Sequence, residues 1–260
     1  MTVTREEAEF LLRHVNRYLL TSFEIRDVVS AIAGLRPLVR SDNSRETKKL
    51  IRDYEIEVDR RSGLISVLGG KWTVYRAMAE DAIDTVQKLL TGRITKSRTR
   101  EYPLMGADDD SASVELLAAK YEMPRSTIRH LTEKFGARRI RILDLIHENA
   151  SLASPIIEGM PHIQAEILYA VRQESAVCVE DILSRRLGIQ FYDWRLAAQA
   201  APVVAAIAAK ELGWSPEQTR SELNAYADRI NRCLVAIGQE RICVKQTHRG
   251  NINDELHRRA

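Results

Sequence analysis

The chain has 260 residues, of which 45% are hydrophobic and 29% charged. This composition is typical of globular proteins and excludes a largely disordered chain. No apolar run approaches the roughly 20 residues that a membrane-spanning helix needs. Thirty-nine Lys and Arg against 36 Asp and Glu leave a net charge of +3, which is too small to indicate a polyanionic partner. The cysteines (Cys178, Cys233 and Cys243) match no metal-ligand spacing, so we expect reduced thiols, a cytoplasmic location and no metal site.

The first hundred residues mix helix and strand signals. Thr4 and Glu7 form a capping box before a run of apolar residues at helical spacing, which predicts an N-terminal helix. The apolar, β-branched run 28–35 predicts a buried strand. Alternation at 54–58 and a second extended run at 64–68, joined by a Gly-containing turn, predict a β-hairpin.

After the hairpin, Gly69-Gly70 ends the strand and a helix is predicted from about Lys71 to Thr91. Residues 93–110 are polar and form the predicted linker. Beyond it we predict helices at about 112–121, 126–135, 138–150, 162–173, 179–187, 193–212 and 216–236. The predicted organisation is an α+β domain portion at 1–92, the linker at 93–110, a helical domain at 111–245 and a polar tail at 246–260.

The α+β portion has too few elements to be complete. A strand that is apolar on both faces needs cover on both sides, and one hairpin with two helices does not supply it. We therefore expect these residues to belong to a larger sheet whose other strands are missing.

The junction between the second hairpin strand and its helix carries the strongest chemical signal. Free backbone N–H groups and the positive end of the helix dipole gather at a helix start. Gly69 and Gly70 allow close approach to the backbone there, and Lys71 adds a mobile charge. The pattern suits a phosphate or the carbonyl edge of a flavin ring, although a tight turn beside a surface lysine would give the same spacing. It is not a Walker A loop, because the glycine spacing is wrong.

Several motifs resemble the C-terminal part of FAD-dependent, quinone-linked glycerol-3-phosphate dehydrogenases, members of the D-amino-acid-oxidase-like flavoenzyme superfamily. The longest runs from Gly63 to Glu80 and reads GLISVLGGKWTVYRAMAE. Shorter ones are GLRPL at 34–38, IRDY at 51–54, AEILYAVRQE at 165–174 and EDILSRR at 180–186. The resemblance implies a C-terminal portion of an FAD/substrate domain followed by an all-helical C-terminal domain.

The resemblance also implies a reaction and its substrate site. The intact enzyme would oxidise glycerol 3-phosphate to dihydroxyacetone phosphate with FAD and pass the electrons to quinone, with oxygen left open as the acceptor. Arg36 and Lys71 would face the substrate phosphate and hydroxyls, with Arg52 as a third cation. The residue before Arg52 is Ile51, where the family has Ser or Thr, so the match is incomplete there.

A cofactor site follows from the same resemblance. Gly69, Gly70, Trp72 and Thr73 would bind the flavin, and the last three would present N–H groups to its O2 and N1 edge. Charge that develops when N5 accepts hydride would be stabilised there.

The chain also departs from the family pattern, because it lacks the segment that would bind the dinucleotide. The chain has no Gly-x-Gly-x-x-Gly motif after an N-terminal strand, and the catalytic histidine of the family lies in that portion. We therefore expect a fragment that has no catalytic residue of its own, retains FAD poorly or not at all, and turns over no substrate alone. His14, His130, His147 and His162 are predicted to lie at the surface or to pack between helices. A homodimer and a peripheral position at the inner face of the membrane are left open.

Two other classes of function compete with this interpretation. Residues 113–135 have helix–turn–helix spacing with basic residues on the second helix, which would suit DNA. The acidic run 108–110 just before it would repel a phosphate backbone, so no nucleic acid is expected. Alternatively, the small apolar stretch 197–209 could pack against a partner helix in an interaction module, although packing inside the core explains it as well.

Overall fold

The computed structural model describes residues 2–35, 54–107 and 112–242. The predicted site residues Arg36 and Arg52 and the predicted polar tail lie outside these ranges. The chain forms two compact units, Gly34–Leu104 (the hairpin unit) and Met1–Ala33 with Met105–Ala260 (the helical unit). This grouping differs from the predicted boundaries, because the first 33 residues belong to the helical unit.

Most of the helical unit consists of helices joined by short turns. Ser113 caps one of them by accepting a hydrogen bond from the N–H of Leu116, and Ser215 caps another through Gln218. The helices are α1 (Arg5–Val15), α3 (Val114–Lys120), α4 (Arg125–Phe135), α5 (Arg139–Glu148), α6 (Gln164–Glu174), a π-helix (Asp181–Arg186), α7 (Ile189–Tyr192), α8 (Trp194–Leu212) and α9 (Pro216–Ala236).

Two apolar clusters form the core of the helical unit. In the first, α8 packs against α6, α7, α9 and the π-helix. Small side chains let the neighbouring helices approach α8 closely, and the buried ones are Ala197, Ala198, Ala200, Ala201, Ala205 and Ala208. The small-residue stretch therefore packs within this unit. The second cluster joins α3, α4, α5 and α6 around Ile128, Leu131, Ile142 and Tyr169.

The N-terminal segment is hydrogen-bonded to the far end of the helical unit. Gln239 donates from Nε2 to the carbonyls of Ile25 (2.6 Å) and Val28 (2.8 Å). The N–H of Trp194 donates to the Val29 carbonyl at 3.0 Å. Side chains of Ile25 and Val28 add apolar contacts with the first cluster.

These contacts correct one prediction. Residues 28–35 form no strand, and Leu35 is 85% exposed. An apolar run has the same spacing whether it joins a sheet or lies extended on helices, and here the helices are its neighbours.

The β-sheet found among the described residues lies in the hairpin unit. Strands β1 (Tyr54–Val58) and β2 (Ile65–Gly69) pair antiparallel, with Ile56 opposite Val67. A 3₁₀ turn then leads into helix α2 (Tyr75–Thr91), which ends at Gly92 in the left-handed conformation. The helix thus begins later than predicted.

The predicted fold class is confirmed, because a two-stranded sheet accompanies a chain that is otherwise mainly helical. Within the described ranges, we find no helix with the length and apolar character that crossing a membrane requires.

Candidate functional site

The hairpin turn brings β2 into position before the candidate site. Asp59 accepts hydrogen bonds at Oδ1 from the N–H groups of Arg61 (2.7 Å) and Ser62 (3.1 Å). Both hydrogen bonds lower the pKa of the Asp59 carboxyl, and the one from Ser62 has the larger effect. Gly63 then adopts a φ of +76°, which glycine reaches without strain. The turn therefore fixes the register that delivers Gly69 to the end of β2.

Two consecutive glycines with positive φ lie at the end of β2 and directly after it. Gly69 has a φ of +72° and Gly70 a φ of +89°. A Cβ at position 70 would lie 2.5 Å from Sδ and Cε of Met78 and 3.3 Å from Cβ of Tyr54. The positive φ of Gly70 therefore favours glycine, and its close approach to the flexible end of Met78 is a second feature that the sequence interpretation missed.

The residues after the glycines face solvent within the hairpin unit. Lys71, Trp72 and Thr73 are exposed, and the ring of Trp72 stacks on Tyr75 with 5.1 Å between centroids. Val74, the N-cap of α2, provides no side-chain acceptor to the helix. The first N–H groups of any helix lack intrahelical partners. Here the N–H groups of Val74 and Tyr75 already donate to the carbonyls of Lys71 and Trp72. Donors for a ligand would therefore lie in the turn before α2, where Lys71 supplies positive charge.

The predicted cation pair lies only partly within the described residues. Lys71 is exposed at the junction, whereas Arg36 and Arg52 lie outside the described residues. The convergence of these three cations on one substrate stays a prediction.

A second cationic feature of the hairpin unit was not singled out from the sequence. Arg76 on α2 pairs with Glu80 at 2.5 Å and donates to Oγ1 of Thr99 at 3.2 Å. It borders a cleft of about 800 Å³, which Arg98 and Arg100 also line. The i, i+4 spacing of Arg76 and Glu80 inside the longest family motif was the available signal.

A charged cluster is buried in the helical unit. Glu166 on α6 is only 1% exposed. Its carboxylate accepts hydrogen bonds from Nε2 of His130 (3.0 Å), Nζ of Lys134 (3.1 Å) and the N–H of Ile163 (3.0 Å). Burial raises the pKa of Glu166, but the His130 hydrogen bond and the Lys134 charge outweigh it, and the pKa is lowered overall.

His162 lies beside this cluster and is also buried. Its ring centroid is 4.3 Å from that of His130, and among the described residues its Nδ1 has no hydrogen-bond partner. Burial lowers the pKa of His162 to about 4, against the opposing effect of Glu166. His130 and His162 thus pack between helices, as predicted, but they do so around a buried carboxylate that sequence reasoning did not find.

The same cluster argues against DNA binding. Two of the basic residues of the predicted recognition helix, His130 and Lys134, are directed at Glu166 and not at solvent. Thr127, Ile128 and Leu131 bury the rest of that α4 face in the core. Helix α4 is a packing element of the helical unit.

Comparison with known proteins supports the flavoenzyme interpretation. Residues 97–219 match the family described as the C-terminal domain of alpha-glycerophosphate oxidase. A glycerol-3-phosphate dehydrogenase of Mycobacterium leprae is 35% identical over 239 residues, which is 91% of this chain and 40% of that protein. A probable mitochondrial glycerol-3-phosphate dehydrogenase of Caenorhabditis elegans is 34% identical over 232 residues, 85% of this chain and 31% of that protein.

A solved structure shares the fold. The glycerol-3-phosphate dehydrogenase from Bacillus halodurans, complexed with FAD, has a TM-score of 0.72 and 24% identity, and the match covers 96% of this chain and 47% of that chain. The chain spans about 40% of the length of the Mycobacterium leprae relative. The resemblance predicted from the sequence is therefore confirmed: most of the chain is similar to part of the glycerol-3-phosphate dehydrogenases, and residues 97–219 match the family described as the C-terminal domain of alpha-glycerophosphate oxidase.

Proposed function

We propose that the chain contributes the C-terminal part of an enzyme that oxidises sn-glycerol 3-phosphate to dihydroxyacetone phosphate with FAD. The electrons then pass to quinone. The observation that carries the proposal is the junction between β2 and α2, where Lys71 and the exposed start of the helix follow two glycines with positive φ. This junction lies within the motif that matches the family most extensively.

The junction fits the carbonyl edge of a flavin ring. Gly69 and Gly70 hold a backbone conformation that larger residues reach only with strain. In the proposed site, the N–H groups of Gly70, Trp72 and Thr73 donate hydrogen bonds to that edge. FAD, when bound, supplies the hydride acceptor of the reaction. The chain's own contribution is a set of oriented donors where negative charge develops.

In the proposed site, positively charged side chains bind the substrate. Lys71 is exposed beside the proposed cofactor site, and Arg36 and Arg52 complete the proposed set that holds the phosphate and hydroxyls of the substrate. A phosphate dianion is bound best by several positive charges with fixed donors. No residue of this chain is proposed as the catalytic base.

We further propose that the chain alone binds FAD weakly or not at all and turns over no substrate. The matched relatives are longer, and the chain covers 40% of the Mycobacterium leprae protein. A dinucleotide needs a site for its pyrophosphate, typically a glycine-rich turn at a helix start after a strand.

A chimeric enzyme tests the proposed function. The chain is fused to the part of the Mycobacterium leprae protein outside the match, and glycerol-3-phosphate-dependent reduction of a soluble quinone analogue is measured. We expect activity, and we expect Lys71→Ala to lower kcat/KM at least about tenfold, since a single charge-assisted contact contributes about 1.5–3 kcal/mol. The matched control, Lys88→Ala, removes an exposed lysine from the last turn of α2, at the opposite end from Lys71, and leaves activity unchanged.

Three results would contradict the proposal. A chimera that binds FAD but does not respond to glycerol 3-phosphate would refute the reaction. Equal activities of the Lys71 and Lys88 variants would refute the role of Lys71. Flavin absorbance and turnover retained by the unfused chain would refute its dependence on a partner portion.

A further inference from the structure

One cleft of the hairpin unit is lined mainly by positive charge. It is the cleft of about 800 Å³ beside α2, and it is called the basic cleft. Its charged lining consists of four cations and two carboxylates, namely Arg76, Lys96, Arg98, Arg100, Glu80 and Glu101. A cleft in which one sign of charge prevails concentrates ions of the opposite sign. The basic cleft should therefore attract an anion.

Arg76 is half-buried and is already held in place. Its Nη1 pairs with Glu80 at 2.5 Å and donates to Oγ1 of Thr99 at 3.2 Å. A guanidinium carries five N–H donors in a fixed planar arrangement. Within the described ranges both contacts of Arg76 use Nη1, so Nε and Nη2 can donate to a ligand. The charge of Glu80 is balanced by the same contact.

The other three cations have no ion-pair partner in the part of the chain that the structure describes. Lys96, Arg98 and Arg100 are exposed, and Glu101 is the remaining carboxylate of the lining. Three cations against one carboxylate leave a charge of +2. A phosphate monoester carries about −1.5 to −2 at pH 7. The fork of donors on an arginine also matches two phosphate oxygens at once. Both the charge and the donor geometry therefore favour a phosphate group.

The segment that carries these cations is attached to α2 at two points. The N–H of Thr95 donates to Oε1 of Gln87 at 2.8 Å, and the bond from Arg76 to Thr99 is the second attachment. Between them, Oγ of Ser97 and Oγ1 of Thr99 share a hydrogen bond of 2.9 Å. Donors that are held before the ligand arrives lose less conformational freedom on binding. The basic cleft is thus partly preorganised.

The size of the basic cleft indicates a ligand larger than a bare phosphate ion. Sites for small molecules have volumes of about 300–1,000 Å³, and this cleft lies in that range. Tyr102 and Pro103 also line it, and Tyr102 is 75% exposed. An exposed aromatic ring beside the cations can pack against the organic part of a ligand.

We propose that the basic cleft binds a phosphate monoester, with the phosphate on Arg76, Arg98 and Arg100 and the organic group against Tyr102. Lys71 is not part of the lining, so the site differs from the one proposed at the β2–α2 junction. The same phosphate chemistry occurs in free metabolites and in the headgroup of phosphatidic acid. Binding here requires neither FAD nor turnover, and the inference goes beyond the proposed function.

Isothermal titration calorimetry of the full chain with phenyl phosphate tests the site. We expect saturable binding that is tighter than the binding of inorganic phosphate, because the phenyl ring adds contact with Tyr102. The double variant Arg98→Ala/Arg100→Ala is expected to lower the affinity at least about tenfold, since hydrogen bonds between charged groups are the strong ones. Both side chains are exposed outside helices and strands, so the fold should be unchanged by circular dichroism.

Three further variants separate the basic cleft from other cations. Lys88→Ala/Arg93→Ala is the matched control, because it removes two exposed cations of the same unit that do not line the cleft. This control and Lys71→Ala are both expected to retain the affinity for phenyl phosphate. Tyr102→Ala is expected to abolish the preference for phenyl phosphate over inorganic phosphate.

Vesicles of phosphatidylcholine with and without phosphatidic acid identify the source of the phosphate. Binding to the phosphatidic acid vesicles that phenyl phosphate displaces and Arg98→Ala/Arg100→Ala abolishes would support the site and assign a lipid headgroup. Binding of phenyl phosphate without binding to vesicles would support a free monoester.

Three results would overturn the proposal. The first is no saturable binding of either phenyl phosphate or phosphatidic acid vesicles. The second is an equal loss of affinity in the two double variants, which would reduce the effect to net charge. The third is a loss of binding in Lys71→Ala but not in Arg98→Ala/Arg100→Ala, which would place the phosphate at the β2–α2 junction.

Discussion

The carboxylate of Glu166 accepts a hydrogen bond from Nε2 of His130 at 3.0 Å, although the Glu166 side chain does not reach solvent. Lys134 completes the pairing from the next turn of α4. Because a buried charge is stable only when it is paired, this contact ties α4 to α6.

Removal of that charge is expected to weaken the helical unit. Glu166→Ala leaves His130 and Lys134 without their acceptor, and breaking a buried ion pair typically costs about 3–5 kcal/mol. Urea unfolding followed by circular dichroism measures the change. The control is Glu211→Ala, which breaks the more exposed pair with Arg172 and should cost about 1 kcal/mol or less. Equal losses in the two variants would show that Glu166 is no stronger a link than a surface ion pair.

The stability of the helical unit should fall in mild acid. The pKa of His162 is about 4 in the folded chain because the ring is buried, whereas an exposed histidine has a pKa near 6.5. The unfolded chain therefore binds the proton first, and stability falls as the pH drops from about 6.5 to about 4, by at most about 1.4 kcal/mol per pH unit. The lowered pKa of Glu166 acts in the same direction at the acid end.

Unfolding by urea at a series of pH values measures this dependence. His162→Gln removes the titrating ring and should flatten the curve between pH 6.5 and 4. An unchanged slope in this variant would assign the acid sensitivity to other groups.

Gly136 should tolerate no side chain. A Cβ there would lie 2.1 Å from the carbonyl oxygen of Gly106, and φ is +55°. Gly136→Ala must displace Gly106, which accepts a hydrogen bond from the N–H of Ala137 at 3.0 Å. Gly213→Ala is the control, since Gly213 has a φ of +69° with nothing within 4 Å of its Cβ position. We expect about 1 kcal/mol for the control and at least about 2 kcal/mol for Gly136→Ala in thermal unfolding. Similar losses would mean that Gly106 moves aside freely.

Gln239 should hold the N-terminal segment in place. Gln239→Ala removes the donor to the carbonyls of Ile25 and Val28 and is expected to destabilise their docking by about 1–3 kcal/mol. Limited trypsin digestion should then cut faster after Arg26, which is exposed between them. Gln199→Ala, on the exposed side of α8, should leave the cleavage rate unchanged. Faster cleavage in both variants would indicate a general loss of stability.

The sequence correctly predicted the helices and strands whose ends are marked by residues next to them in the chain. Helix α9 runs from Pro216 to Ala236, as predicted, because Ser215 and Pro216 mark its start. The hairpin was predicted to within one residue, since alternation and a Gly-containing turn determine it. The apolar run at 28–35 was misread as a strand because its contacts lie on α8 and beyond, far away in sequence.

In the candidate site, too, only the features made of consecutive residues could be predicted. The β2–α2 junction could be located from the glycines and Lys71, because all of its parts are consecutive in sequence. The Glu166 cluster could not, since His130 and Glu166 are 36 residues apart and only the packing of α4 on α6 brings them together. The positive φ of Gly70 and its approach to Met78 are likewise visible only in three dimensions.

The bonds from Gln239 to the N-terminal segment also have a consequence for synthesis on the ribosome. Ile25 and Val28 are translated 214 and 211 residues before the side chain that binds their carbonyls. These two carbonyls must therefore wait for their side-chain donor until nearly the whole helical unit has emerged. A nascent chain that stops before Gln239 would leave this apolar segment accessible to chaperones.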